Sequence, residues 1–204
     1  MPKAWVRRHK RDYYYRKAKK ENYRSRASYK LLQAVEKYRF IKPNDVIVDL
    51  GAAPGGWLQI ARELVGEKGF VLGVDITEIA PLGYDNVVTM KADIRNAETT
   101  RKIKAVLPRP ADVVISDVSP KVSGVWETDH ARQIDLAEIS LNVAKSVLRW
   151  GGNFFVKVFQ GDLLRRFLNE TRREFDVVRV IKPKASRKES AELYVLGLGL
   201  ASRS

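Results

Sequence analysis

The chain has 204 residues, of which 45% are hydrophobic, 30% are charged and none is cysteine. That length and apolar fraction suit a single domain with a sizeable core, and the lack of cysteine excludes a disulfide scaffold, a thiolate metal centre and a thiolate nucleophile. The net charge of +14 is uneven: residues 1–42 hold 15 Lys/Arg against 3 Asp/Glu, whereas the other 162 hold 23 against 21. A near-neutral body therefore carries a basic front segment, which points to a polyanionic partner, nucleic acid ahead of an anionic membrane surface. No apolar run approaches a membrane span, and the first residues lack the apolar stretch of a signal peptide, so a cytoplasmic protein is expected.

Residues 1–24 read as a basic arm in which Lys10, Arg11, Lys19, Lys20 and Arg24 alternate with Tyr13, Tyr14, Tyr15 and Tyr23. Residues 25–204 read as one domain. It opens with a helix over Ser25–Phe40 that places Leu31, Leu32 and Val35 on one face, with Ser25 or Ser28 as its cap. From Val46 onward, short β-branched runs alternate with amphipathic stretches. The strands expected are Val46–Leu50, Phe70–Ile76, Val87–Ala92, Asp112–Ser116, Asn153–Phe159, Val177–Ile181 and Leu193–Leu200. Helices are expected at Leu58–Val65, Ala97–Leu107, Ile134–Arg149 and Leu163–Phe175. Runs such as Val46–Leu50 are apolar almost throughout, as parallel strands covered on both faces are. The pattern predicts an α/β doubly wound sheet with an antiparallel pair formed by its last two strands.

The turn after the first strand reads Gly51-Ala52-Ala53-Pro54-Gly55-Gly56-Trp57. In a doubly wound fold, this position lies at the carboxyl ends of the strands, where ligands bind. It lacks the second glycine of a dinucleotide fingerprint and the Gly-Lys-Ser/Thr of a phosphate loop, so a nucleoside without pyrophosphate fits better. A tight turn that merely needs small residues is the plain alternative. Asp75 ends the second strand, where ribose hydroxyls are held in such folds. Asp93 follows the third, where it could accept from an adenine amino group. Together with Gly51 and Gly55 they outline a pocket for S-adenosylmethionine.

Five segments in order, around Arg24–Leu31, Val48–Trp57, Ile115–Gly124, Phe154–Gly161 and Ser186–Tyr194, closely resemble the FtsJ/RrmJ family of RNA 2′-O-methyltransferases. The resemblance runs from about Tyr23 to about Leu200. It implies a Rossmann-like methyltransferase fold of seven strands with the last antiparallel. It also implies a catalytic set at Lys30, Asp117, Lys157 and Glu192, with Asp117 and Trp57 against the cofactor. Trp57 reads equally well as an aromatic filling the helix–sheet core.

Taken alone, Lys157 interrupts an apolar strand, so it is either an edge residue reaching solvent or a buried cation that needs a partner. Asp117, closing the neighbouring strand, is such a partner. A lysine desolvated beside another cation, here Lys30, can act as a proton acceptor near neutral pH, although nearby carboxylates oppose this. Glu192 would hold Lys30 or the ribose. The run Arg179–Lys188 contributes a second basic patch, with Lys182, Lys184, Arg187 and Lys188 beside Arg26 as candidate RNA contacts; a solvated face is the alternative.

His9 and His130 read as surface residues, with no metal site expected. The missing cysteine and the absence of an Asp/Asn-Pro-Pro-aromatic motif set aside methylation at pyrimidine C5 or at amino groups. The resemblance is closest to enzymes acting on a uridine of large-subunit ribosomal RNA, either free or within the assembled subunit. Transfer RNA, messenger RNA caps, or a non-catalytic assembly role are the alternatives. A monomer is expected.

Overall fold

The computed structural model describes residues 12–187 and 189–202. Its centre is a seven-stranded sheet in the order β3-β2-β1-β4-β5-β7-β6. The strands are β1 (Val46–Leu50), β2 (Phe70–Asp75), β3 (Val87–Lys91), β4 (Ala111–Ser116), β5 (Leu148–Phe159), β6 (Phe175–Ile181) and β7 (Glu192–Leu200). Contacts β3-β2-β1-β4-β5 are parallel, and β7 slots antiparallel between β5 and β6. The helices among the described residues are α1 (Tyr13–Lys20), α2 (Ser28–Tyr38), α3 (Gly56–Val65), α4 (Ala97–Val106), α5 (Trp126–Val147) and α6 (Leu164–Glu174).

Alternation along each strand assigns two cores. Val46, Val48 and Leu50 of β1 join Val114, Phe154 and Val156 beneath α4, α5 and α6, with Ile134, Leu141 and Phe167 facing them. Ile47 joins Val113, Ile115, Phe155 and Tyr194 beneath α2 and α3, which supply Leu31, Val35, Trp57 and Leu58. All five β1 residues are buried, as a central parallel strand requires. On the α2/α3 side, Phe155 stacks on Tyr194 (4.8 Å) and Trp57 (5.7 Å) and tilts against Phe40 (5.2 Å). This aromatic cluster lies directly behind Lys157, two residues along the same face of β5.

Three local expectations change. Neither serine caps α2: its N-cap is Ala27, Ser25 Oγ accepts from Ala27 N–H, and buried Ser28 donates to the Gly56 carbonyl, tying α2 to the start of α3. Helix α5 begins at Trp126, two turns before its apolar spacing becomes visible at Ile134, because the residues those turns bury, Asp129, His130 and Gln133, are polar. Strand β5 starts at Leu148 inside the predicted helix; Leu148 pairs with Ala111, and the register shifts before Val113–Asn153.

The front segment is packed against the body from Asp12 onward. Asp12 caps α1 through Tyr15 N–H, and Lys17, Lys19 and Lys20 complete its carboxyl end, where cations favour the helix dipole. Ala18 is buried against Tyr29 and Ala185. Lys10, Arg11 and His9 lie outside the described residues, as does Lys188.

Phe155→Ala should cost about 3–5 kcal/mol, since it empties a fully buried aromatic site. Urea denaturation of the purified variant measures this loss.

Candidate active site

The parallel strands all deliver their carboxyl ends to one rim. Gly51 follows β1, Asp75 ends β2, Ala92 and Asp93 follow β3, Asp117 follows β4, and Lys157 approaches the end of β5. Because β7 runs the other way, its first residue, Glu192, reaches the same rim and stands opposite Phe159 in the register.

Here the four polar residues singled out in the sequence meet. Lys157 is 6% exposed. Its Nζ donates to the Asp117 carbonyl oxygen at 2.7 Å and lies 3.2 Å from Asp117 Oδ1. Lys30, from α2, lies 2.7 and 2.8 Å from the two oxygens of Glu192. The Tyr194 hydroxyl, on β7 beside Lys157, donates to Asp117 Oδ1 at 2.8 Å and links the two pairs. Burial pushes the Asp117 carboxyl up, but the charges of Lys157 and Lys30 and the bonds from Tyr194 and Lys157 outweigh it, leaving the group below its usual range. Tyr194 is held well above an ordinary phenol by burial first and by Asp117 and Glu192 next, so it stays a donor.

Three residues that hold this arrangement had no assigned role in the sequence. Ser186 donates to Glu192 Oε1 at 2.9 Å. Gln133 of α5 donates to the carbonyls of Lys157 (3.0 Å) and Val118 (3.1 Å), fastening β5 to the segment after β4. Tyr194 is the third; it stood in the family pattern without a task. A polar residue serving a backbone carbonyl 24 positions away leaves no trace in local spacing.

Beside the four lies a cavity of ≈ 310 Å³ walled by Gly51, Ala53, Val74, Asp75, Ile76, Ile94, Asp117 and Ser119, among others. Its chemistry suits S-adenosylmethionine. Gly51 sits at φ +75°, and a Cβ there would come within 2.6 Å of the Val118 side chain, so the wall is bare backbone at this point. Asp75 spends one oxygen on Ala53 N–H and the other on Thr77 N–H. A carboxylate has about four acceptor positions, so ribose hydroxyls can still bond to it. Val74, Ile76 and Ile94 give the apolar surface a purine needs.

Several predicted contacts lie elsewhere. The Trp57 indole is in the core, donating to the Ala27 carbonyl at 2.8 Å; only its backbone, in the first turn of α3, remains for a ligand. Gly55 is covered by the Arg24 side chain. Asp93 is exposed and folds back on Arg95 N–H, while Ala92, Ile94 and Arg95 line the cavity instead. Arg24 donates to the carbonyls of Pro54, Ala80 and Pro81, and Arg26 pairs with Asp12 and donates to the Ala185 carbonyl. Both guanidinium groups are thus spent on structure rather than left facing RNA. Lys19, Lys20, Lys184 and Arg187 are exposed, Arg187 reaching Asp12 at 3.7 Å, and Lys182 is exposed while donating to the Ser190 carbonyl. His130 is buried, not superficial: its Nε2 accepts from Leu163 N–H at 3.1 Å. No group of metal-binding side chains occurs among the described residues.

Asp49, next to the glycine turn, went unremarked in the sequence. It is fully buried with no hydrogen-bond partner for either oxygen. Burial, then the charges of Asp117 and Asp75, raise its carboxyl well above the usual range. Folding must therefore keep a proton that the unfolded chain releases, and stability falls as pH rises from the ordinary carboxylate range through the folded value. Asp49→Asn should raise stability, by a margin that grows from pH 5 to pH 8, in urea titrations at each pH. A constant margin would contradict a neutral Asp49.

The profile of the FtsJ-like methyltransferases matches residues 23–200. "Ribosomal RNA large subunit methyltransferase E" of Methanothrix thermoacetophila is 54% identical over 96% of this chain and 75% of its own length. The protein of that name from Methanocaldococcus jannaschii is 51% identical over 95% and 80%. Among solved structures, a Plasmodium falciparum protein assigned as a ribosomal RNA methyltransferase superposes with a TM-score of 0.77 at 27% identity, over 89% of this chain and all of the other. Fibrillarin of Aeropyrum pernix, solved with S-adenosyl-L-methionine, shares the fold at TM-score 0.61 and 18% identity, over 86% of this chain and 75% of its own. The chain belongs to the FtsJ-like methyltransferase family.

Proposed function

We propose that this enzyme transfers a methyl group from S-adenosylmethionine to a ribose 2′-hydroxyl of RNA, at a uridine of large-subunit ribosomal RNA. The observation that carries the reading is the joining of Lys157–Asp117 to Lys30–Glu192 at the edge of a nucleoside-sized cavity. When bound, the cofactor supplies a methyl group on a positively charged sulfur, ready for in-line attack by an oxygen. The protein must place that oxygen and take its proton.

To take that proton the Lys157 ammonium must first release one of its own to solvent, and the amine then has two hydrogens and one lone pair. Both hydrogens have partners, at the carbonyl and carboxylate oxygens of Asp117. The lone pair is left as the position for the 2′-hydroxyl proton. Asp117 therefore orients the base, and Tyr194 holds Asp117 in place. Lys30, gripped by both oxygens of Glu192, offers a remaining donor to the ribose oxygen, while Ser186 keeps Glu192 from turning away. An assembly factor that merely bound RNA would have no need of this four-residue arrangement.

RNA would approach over two basic segments that are far apart in sequence but packed together. Helix α1 carries Lys19 and Lys20, and the turn after β6 carries Lys184 and Arg187; Ala18, Tyr29 and Ala185 join them. The relatives' names support ribosomal RNA ahead of transfer RNA or caps. No described helix is long and apolar enough to cross a membrane. On this reading the enzyme works in the cytoplasm, acting as a monomer on RNA or on the large subunit.

Lys157→Ala should lower methyl transfer by at least about 10²-fold, with cofactor affinity by calorimetry unchanged. Robust turnover by this variant would overturn the base assignment. Neutralising Lys10, Arg11, Lys19 and Lys20 together should instead weaken RNA binding and flatten its salt dependence, by about 0.7 in log–log slope for each phosphate that is no longer neutralised. Filter binding across a salt series measures it.

A further inference from the structure

The stretch from Asp117 to the first residue of α5 exposes apolar side chains at the rim: Val122 is 67% exposed, Val125 55% and Trp126 45%. Single exposed apolar residues are ordinary; three within five positions beside a reaction centre are not. The segment is also braced. Asp129 accepts from Ser123 N–H (2.8 Å), Ser123 Oγ (2.7 Å) and Gly124 N–H (3.0 Å), fixing the approach to α5.

The Trp126 ring is built into a stack. The buried His130 ring lies 5.8 Å away, inclined by 17°, and Phe159 lies 6.1 Å away, inclined by 24°. His130 is itself locked by its bond from Leu163 N–H and by Gly161, where a Cβ would fall 2.7 Å from the imidazole. Phe159 is two residues beyond Lys157 on the same face of β5 and stands opposite Glu192 on β7. Trp126 is therefore one aromatic ring removed from the four catalytic candidates. Nearby, Arg95, Lys121 and Arg132, with Asp135 as the only acid among the lining residues, border a second cavity of ≈ 420 Å³ that shares Arg95 and Leu136 with the cofactor cavity.

We propose that Trp126 is the platform on which an unpaired RNA base stacks while its strand presents the reacting ribose to Lys157, with Lys121 and Arg132 taking the adjoining phosphates. The inference rests on the 2′-O-methyltransferase reading above and adds to it the path of the strand. A rigid, half-exposed indole, with Lys121 five residues before it and Arg132 six after, offers what unstacked nucleotides require: a π-face for the base and positive charge along the chain for the backbone. A preset ring also spares the entropy of ordering a flexible contact.

Trp150 supplies the control. It is 61% exposed but lies at the opposite end of β5, roughly 23 Å from Lys157 along a seven-residue stretch of strand. Methyl transfer to one RNA substrate should be measured for wild type, W126A, W126F and W150F. Tryptophan emission during titration with a single-stranded oligoribonucleotide should be followed for the same set in a W5F background, because Trp5 lies in the basic segment expected to meet RNA. The expected result is a KM for RNA raised roughly 5- to 100-fold in W126A, with most of the loss recovered in W126F. Cofactor affinity should be unchanged in both, and W126A should melt only a few degrees lower for its lost stacking on His130 and Phe159. The emission quench on adding RNA should vanish in both Trp126 variants and persist in W150F. A wild-type KM in W126A, or a quench that survives W126F, would overturn the platform. A wild-type enzyme that methylates no RNA would overturn the underlying reading instead, and the quench would still report whether RNA stacks on Trp126.

Discussion

A lysine with 6% of its surface exposed dictates how this rim is built. Removing an ammonium from water costs several kcal/mol unless a partner is fixed in place, and breaking such a pair costs about 3–5 kcal/mol. Asp117 meets that demand with its carbonyl and its carboxylate together. Adjacent parallel strands make this possible, because β4 and β5 end side by side. Asp117 is then a buried anion with its own requirement, met by Tyr194 from β7. The reversed strand also delivers Glu192, which captures Lys30 from α2. Each charge accounts for the next, so the order of strands and the order of charges are one constraint.

Around this chain of charges, the supporting residues are placed as specifically as the four charged ones. Gln133 bonds to two carbonyls on different elements, and Ser186 bonds to one carboxylate. Asp49 does the opposite: it sits unpartnered behind the glycine turn, tolerable only as a neutral acid. A second anion there would repel Asp117 and Asp75, the two carboxylates whose charges it feels.

The sheet was legible because a central parallel strand must be apolar on both faces. Val46–Leu50 was bounded correctly, and the other strands came within a few residues of their ends. The exception, β5, starts five residues early, where strand pairing with Ala111 overrides a helical pattern. Lys157 stood out as a charge in an apolar strand, but the strand alone left edge and buried positions open; the family resemblance is what joined it to Asp117, Lys30 and Glu192. Trp57 was not legible, since an indole satisfies core and ligand roles equally well until its hydrogen-bond partner is known. His130 read as a surface residue because spacing does not show that Leu163 N–H engages it. Arginines were the least legible. Spacing shows that Arg24 and Arg26 are cationic, but only the folded chain shows that carbonyls and Asp12 have already engaged them.

Arg24 has a consequence for where the protein can be cut. Its guanidinium ties Pro54 in the glycine turn to Ala80 and Pro81 in the segment after β2, and its side chain covers Gly55. The glycine turn is thus buckled shut from outside by a residue that, by charge alone, belongs to a detachable tail. Trimming that stops short of Asp12 leaves the buckle closed. Trimming through Arg24 removes this buckle and leaves the Asp75 carboxylate, bonded to Ala53 N–H and Thr77 N–H, to join the two loops. The boundary between tail and enzyme therefore falls within the basic segment, at the point where its cations turn inward.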